Sequence, residues 1–324
     1  MSLNGLDLMR WNRISASLGG IIWVLVLCVW VPGWLALNAL EVLLLLALLV
    51  ITPLAVPLAA SSKKGRLHHS LYRLMVILQP FAALMGGASF LLSAGPFAAA
   101  AAGVWLLFTA LVGLVGLLRL FRTGGVALAD VCLSAALIYL PIGGAWLVLA
   151  RLDAQPLGFG QHTDLLTAVH FHYIPLAALL ITGLTCQALP ATLGSVWRVI
   201  SRIAAIGMLV NPLLVAAGIT LTKLTGVDFL ESAAAALLAL SLIAIGVLSL
   251  RFIIPNTASL FARGLILIAS TAVFVTMLAA GAYALGNATG AWAITVDQMI
   301  AVHGWINALI FGCCGLLGWR LTRG

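Results

Sequence analysis

Apolar runs about as long as a bilayer is thick recur from one end of this chain to the other, and no water-soluble architecture hides that much of them. A hydrocarbon core of about 30 Å is crossed by roughly 20 apolar residues in a helix. Leu43 to Val50 and Ala98 to Val104 are continuous apolar stretches, whereas the strands of a membrane barrel alternate apolar and polar residues. Of the 324 residues 64% are hydrophobic and 7% charged, against about 25% charged in soluble domains. The expected fold is all-α, a polytopic transmembrane helical bundle.

Reading the runs in order gives about ten spans, near 17–36, 39–60, 74–94, a fourth ending before Arg119, 125–150, 164–189, 203–222, 227–249, a ninth reaching Leu285, and 294–318. A very short turn near Leu37-Asn38 is expected between the first two. Of sixteen Lys and Arg, fourteen fall on one side of this threading and only Arg151 and Lys223 on the other. The rule that short cytoplasmic loops carry the cations places both termini in the cytoplasm. The most basic loop, Ser61 to Arg73, carries Lys63, Lys64, Arg66, His68 and His69, with both histidines at the surface. The formal charge of +8 thereby reads as topology and not as nucleic-acid binding. The expected location is a multi-pass protein of the inner (cytoplasmic) membrane, with membrane lipid as its surroundings. Residues 1–324 form one integral membrane domain, with possible halves 1–150 and 164–324 about the polar segment Arg151 to Thr163. The first run follows Asp7, Arg10 and Arg13 without a small-residue cleavage site, and is expected to be retained as a span. Cys28, Cys132, Cys186, Cys313 and Cys314 all lie in spans with no CxxC, and are expected to be small buried residues.

Ionisable groups inside the spans are costly, about 2.5–3.5 kcal/mol each at the bilayer centre, so they are expected to face one another or a wet cavity. At about 1.5 Å per residue, His170 and His172 lie about 9–12 Å inward from Asp164, and His303 about 9 Å inward from Asp297. Asn307 is one turn beyond His303. Glu41, Asp228 and Glu231 lie in the same outer half, and Asp130 in the inner half. An outward-facing polar pocket follows, with His170, His172, Tyr173, His303 and Asn307 as candidate catalytic residues and Glu41 and Glu231 as the better buried carboxylates. Asp164 and Asp297, near the interface, serve equally well as solvated caps. Two residues apart on a helix point about 200° from each other, so one of His170 and His172 faces a given pocket. Pro175 denies the Phe171 carbonyl its donor and is expected to kink the helix. Gln79-Pro80 and Asn211-Pro212 place an amide beside a proline, where it is expected to satisfy freed backbone.

His170-Phe171-His172-Tyr173, together with His303-Gly304-Trp305-Ile306-Asn307-Ala308 and Phe311, resembles the YndJ-like family of bacterial integral membrane proteins. That family has an HFHY stretch and a later HGxxNAxxF stretch. The resemblance implies that the two histidine motifs act as a unit, and it brings no activity with it. Relatives follow the tyrosine with small residues, where this chain has Ile174-Pro175.

Three functions fit. The first is an intramembrane enzyme in which histidine and a carboxylate carry out acid–base isomerisation or cyclisation of a lipophilic small molecule without a cofactor, since imidazole titrates near neutrality. No nucleophile motif, phosphate loop or prenyl-diphosphate aspartate cluster is present. The second is a haem- or transition-metal-binding oxidoreductase with His170, His172 and His303 as ligands, although no HxxxH places two on one face. The third is a small-molecule transporter with a site at broken helices, to which Asn211-Pro212 lends support.

Overall fold

The computed structural model describes residues 5–60, 66–123 and 127–323, so Lys63 and Lys64 of the basic loop lie outside the described residues. Among the described residues every regular element is helical. Ten helical stretches are long and apolar enough to cross a membrane: Leu8–Trp30, Ala39–Ala59, His69–Leu91, Pro96–Arg122, Leu128–Leu152, Gln161–Ala188, Ser195–Thr225, Phe229–Asn256, Leu260–Gly286 and Val296–Arg323. The protein is a polytopic membrane protein of ten candidate spans.

Several boundaries differ from the sequence reading, the third span starting at His69 rather than 74 and the eighth running to Asn256 rather than 249. The first helix runs Gly5–Trp30, not to 36. Gly33 adopts a left-handed φ of +81°, its N–H reaching the Trp30 carbonyl at 2.9 Å and the Trp34 N–H the Val29 carbonyl at 3.1 Å, so the helix closes there. An eight-residue connection, 31–38, replaces the short turn expected at Leu37-Asn38, and the Trp30 indole closes it by donating to the Leu37 carbonyl at 2.7 Å. The seventh helix begins at Ser195 rather than 203, and Arg198 holds its first turn by donating to the Leu193 carbonyl at 2.8 Å.

The chain forms two compact units. The first comprises Met1–Gly124 and Ser134–Leu176, and the second Gly125–Leu133 and Ala177–Gly324.

In the first unit the second span is the most enclosed, with 89% of its most apolar window buried against 17% for the first span. It is apolar on every side, as a helix packed on all faces must be. It widens into a π-helix over Ala47–Ile51, and the reason is local. In that register the Thr52 N–H reaches the Ala47 carbonyl, and the next donor would be Pro53, which has none. The Leu48 carbonyl, left without its donor, instead accepts from Gln79 Nε2 at 2.9 Å, and Gln79 Oε1 accepts from the Ser15 hydroxyl at 2.7 Å. Gln79 thus satisfies freed backbone, as its place beside Pro80 suggested. Next to this turn Gly19 of the first span lies so close that a Cβ there would fall 2.0 Å from the Leu49 carbonyl oxygen. Only glycine permits that approach.

Arg151 organises the end of this unit where the connections 31–38 and 92–95 lie. It is a buried residue rather than a loop cation. Its guanidinium meets Glu41 Oε1 at 3.3 Å, donates to the Leu92 carbonyl at 2.6 Å and lies 5.6 Å from the centre of the Phe90 ring. Its own carbonyl accepts from Gly95 N–H at 2.7 Å.

In the second unit the seventh and eighth spans pack together, and the ninth lies between the eighth and tenth. The Thr185 and Ser249 hydroxyls meet at 3.4 Å inside it. At one end Gln187 donates to Asp130 at 3.0 Å and accepts from Arg323 at 3.0 Å. π-Helical turns recur at Ser249–Ile253, Ile300–Gly304 and Ile306–Cys314. The cysteines are free, as expected, but only Cys132 is fully buried, and Cys28 is exposed. Cys28 belongs to the first span, most of whose surface has no protein against it.

Candidate functional site

The sixth span begins as an α-helix over Gln161–Tyr173 and passes into a π-helix over Ile174–Leu179 at Pro175. The proline widens the helix at the end of the His-Phe-His-Tyr stretch, and the two histidines receive different surroundings. His172 is fully enclosed. Its Nδ1 lies 2.7 Å from the Ala168 carbonyl, which can only accept, so Nδ1 carries the proton. Its Nε2 accepts from the Trp105 indole N–H at 2.8 Å, and the two rings stack at 5.9 Å. Both ring nitrogens are occupied, and a second proton would face the indole N–H head-on. Gly143 makes room for this ring, since a Cβ there would lie 2.7 Å from Nδ1.

His170 is half-buried and donates from Nδ1 to the Leu166 carbonyl at 2.8 Å. That bond leaves the lone pair on Nε2, which has no hydrogen-bond partner among the described residues. Phe171 is buried, and the Tyr173 hydroxyl donates to the Leu43 carbonyl of the second span at 2.8 Å. Three of the four residues hold the fold, and His170 presents a base.

The carboxylates of this unit are ordered differently from the sequence expectation. Glu41 is buried, but its oxygens accept from the Asn38 N–H at 2.9 Å and from Arg151 at 3.3 Å. It closes a capping box and an ion pair. Asp164 is fully enclosed, not a solvated cap, and neither carboxylate oxygen has a partner among the described residues. Before it runs the connection 153–160, in which Asp153, Gln155 and Leu157 hold left-handed φ of 58°, 45° and 55°. Each costs on the order of 1–2 kcal/mol for a residue with a Cβ. Phe159 anchors the connection by burying its ring.

In the second unit His303 donates from Nδ1 to the Thr276 carbonyl at 2.9 Å. It sits in the π-helix Ile300–Gly304, and Asn307 in the next, Ile306–Cys314, where its Oδ1 is buried without a hydrogen-bond partner among the described residues. π-Turns concentrate at functional positions, and two follow one another through this motif. Phe311, the last residue of the motif, lines a small cavity with Ile245, Ser249, Ser270 and Trp319. A water-sized molecule's centre has about 10 Å³ there, room for about one water. Glu231 lies half-buried in the first turn of the eighth span, and Asp228 and Asp297 are exposed. Among the described residues no three His, Cys, Asp or Glu side chains are grouped as a metal site requires.

The family model described as YndJ-like protein matches residues 42–311. This chain belongs to that family. The match encloses both histidine motifs, Trp105, Arg151 and Asp164. Over 287 residues the chain is 28% identical to a protein of Bacillus subtilis (strain 168) that bears the name Uncharacterized membrane protein YndJ, covering 88% of this chain and 49% of that protein. The chain thus spans about half the length of the curated relative it matches. No solved structure matches it.

Three side chains carry more of this family member's site than sequence reasoning assigned them. Trp105 is an aromatic in an apolar run, and only the fold brings its indole to His172. Arg151 and Asp164 stood at the membrane interface by counting. Asn211 is fully enclosed with both amide atoms unpartnered among the described residues, so it does not satisfy the backbone that Pro212 frees.

Proposed function

We propose that this protein is an enzyme of the cytoplasmic membrane that performs acid–base isomerisation or cyclisation of a lipophilic molecule, with His170 as the proton-accepting group. The observation that carries the reading is the His170 hydrogen bond to the Leu166 carbonyl at 2.8 Å. It orients the ring and fixes the proton on Nδ1, so that Nε2 stands as a base about 9 Å along the helix from Asp164. In the second unit His303 has its Nδ1 held by the Thr276 carbonyl in the same manner. His172 and Tyr173 position the sixth span. With fourteen of sixteen Lys and Arg on one side of the threading, both termini lie in the cytoplasm in this reading.

Comparison of lipid extracts by mass spectrometry from cells expressing the wild type or His170→Ala tests it. A lipid-soluble species made by the wild type should vanish in the variant while its precursor accumulates and the protein reaches the membrane in equal amount. Identical extracts would reject the assignment.

One observation also favours a second reading. Imidazoles that bind a metal ordinarily donate their other ring N–H to a carbonyl or carboxylate, which is the state of both His170 and His303. A haem or transition-metal oxidoreductase would show a visible absorption band or stoichiometric metal in detergent-purified protein, lost in His170→Ala or His303→Ala.

A further inference from the structure

We propose that the cavity bounded by the eighth, ninth and tenth spans is a binding site for one ordered water molecule, held by the hydroxyls of Ser249 and Ser270. Phe311, the last residue of the second histidine motif, forms part of its wall. The site lies within the second unit and is separate from the proposed proton chemistry at His170.

A count of hydrogen-bonding groups leads to it. Thr185, Ser249 and Ser270 are all buried. Elsewhere in this unit Thr182, Ser241 and Thr276 turn their hydroxyls back to a carbonyl three or four residues earlier in the same helix. These three do not. Thr185 and Ser249 meet only each other, at 3.4 Å, a long contact for two hydroxyls. Whichever of them donates, the other's proton has no acceptor among the described residues. The Ser270 hydroxyl has no partner among them at all. Buried hydroxyls left in this state are costly, and such groups are ordinarily satisfied by protein or by ordered water.

The two that lack a full set of partners, Ser249 and Ser270, line the same cavity. The centre of a water-sized molecule has about 10 Å³ there, enough for one water and too little for a larger polar ligand. Gly246 keeps the space open, since a Cβ at that position would stand 3.3 Å from the Ser270 carbonyl oxygen and 3.5 Å from the Phe274 ring. A water in this place accepts from Ser249 and Ser270 and donates to the Ser270 carbonyl, which borders the same space. Through Ser249 the chain of bonds continues to Thr185, so one molecule ties the end of the sixth span to the eighth and ninth. Purely apolar cavities stay dry, and the two hydroxyls are what distinguish this one.

The test is thermal unfolding of the full chain in detergent after Gly246→Ala, made in the wild type and in a Ser249→Ala/Ser270→Ala background. In the wild type the added methyl group displaces the water and leaves both hydroxyls unpartnered, so Tm should fall by about 2 °C or more. In the double-alanine background the same methyl group fills an apolar space, and Tm should rise. A change of the same sign in both backgrounds, or no change in the wild type, would overturn the site. A map of the wild-type protein that resolves waters gives a second reading, with one peak expected about 3 Å from both hydroxyl oxygens. A water-resolving map without that peak would equally reject the proposal. Neither experiment bears on His170, whose readout is the lipid extract.

Discussion

Residue chemistry separates the two imidazoles of one motif. His172 uses Nδ1 on Ala168 and Nε2 on Trp105, whereas His170 uses Nδ1 alone. Trp105→Phe keeps the aromatic surface and removes the indole donor, which leaves Nε2 enclosed without a partner. The expected loss is about 1–3 kcal/mol, read as a lowered Tm in detergent. Arg151→Met leaves the Glu41 carboxylate buried against apolar surface, and breaking such a pair from one side costs about 3–5 kcal/mol. Adding Glu41→Gln should recover part of that loss. Recovery of nothing would mean that the Leu92 bond and the Phe90 contact, not the charge pair, are what Arg151 supplies.

At the scale of the helix, prolines and glycines set where spans depart from regular geometry. Pro53 leaves the Leu48 carbonyl without a donor and Gln79 replaces it across 31 residues of sequence. Gln79→Leu should therefore destabilise by about 1–3 kcal/mol. In a Pro53→Ala background a backbone N–H is restored at that position, and the same substitution should cost markedly less. A double-mutant cycle of thermal unfolding measures the difference, and strict additivity would refute the link. Gly143→Ala forces a methyl group against the His172 ring and should lower Tm more than alanine at Gly103, where nothing lies within 4 Å. The motif's proline was legible as a break. The structure meets it with a π-helix over Ile174–Leu179.

For the whole molecule, the ten candidate spans predict that residues 5 and 323 face the same compartment. Reporter fusions at residues 1 and 324 that fluoresce or are cleaved only in the cytoplasm should both be active, and a split result would remove one of the ten crossings. That count, the all-helical class and the family were readable without coordinates, because apolar length and cation placement are properties of the chain measured against the bilayer. So was the divergence of His170 and His172, which follows from 3.6 residues per turn. Glu41 and Asp164 mark the limit: both are acids near one interface, and hydropathy ranks Glu41 the better pocket candidate. Only tertiary packing reversed them, by bringing Arg151 and Asn38 to Glu41 and, among the described residues, no hydrogen-bond partner to Asp164. Which partners a buried polar group finds is a long-range matter, and an apolar sequence with the same residue in every neighbouring turn carries no local trace of it.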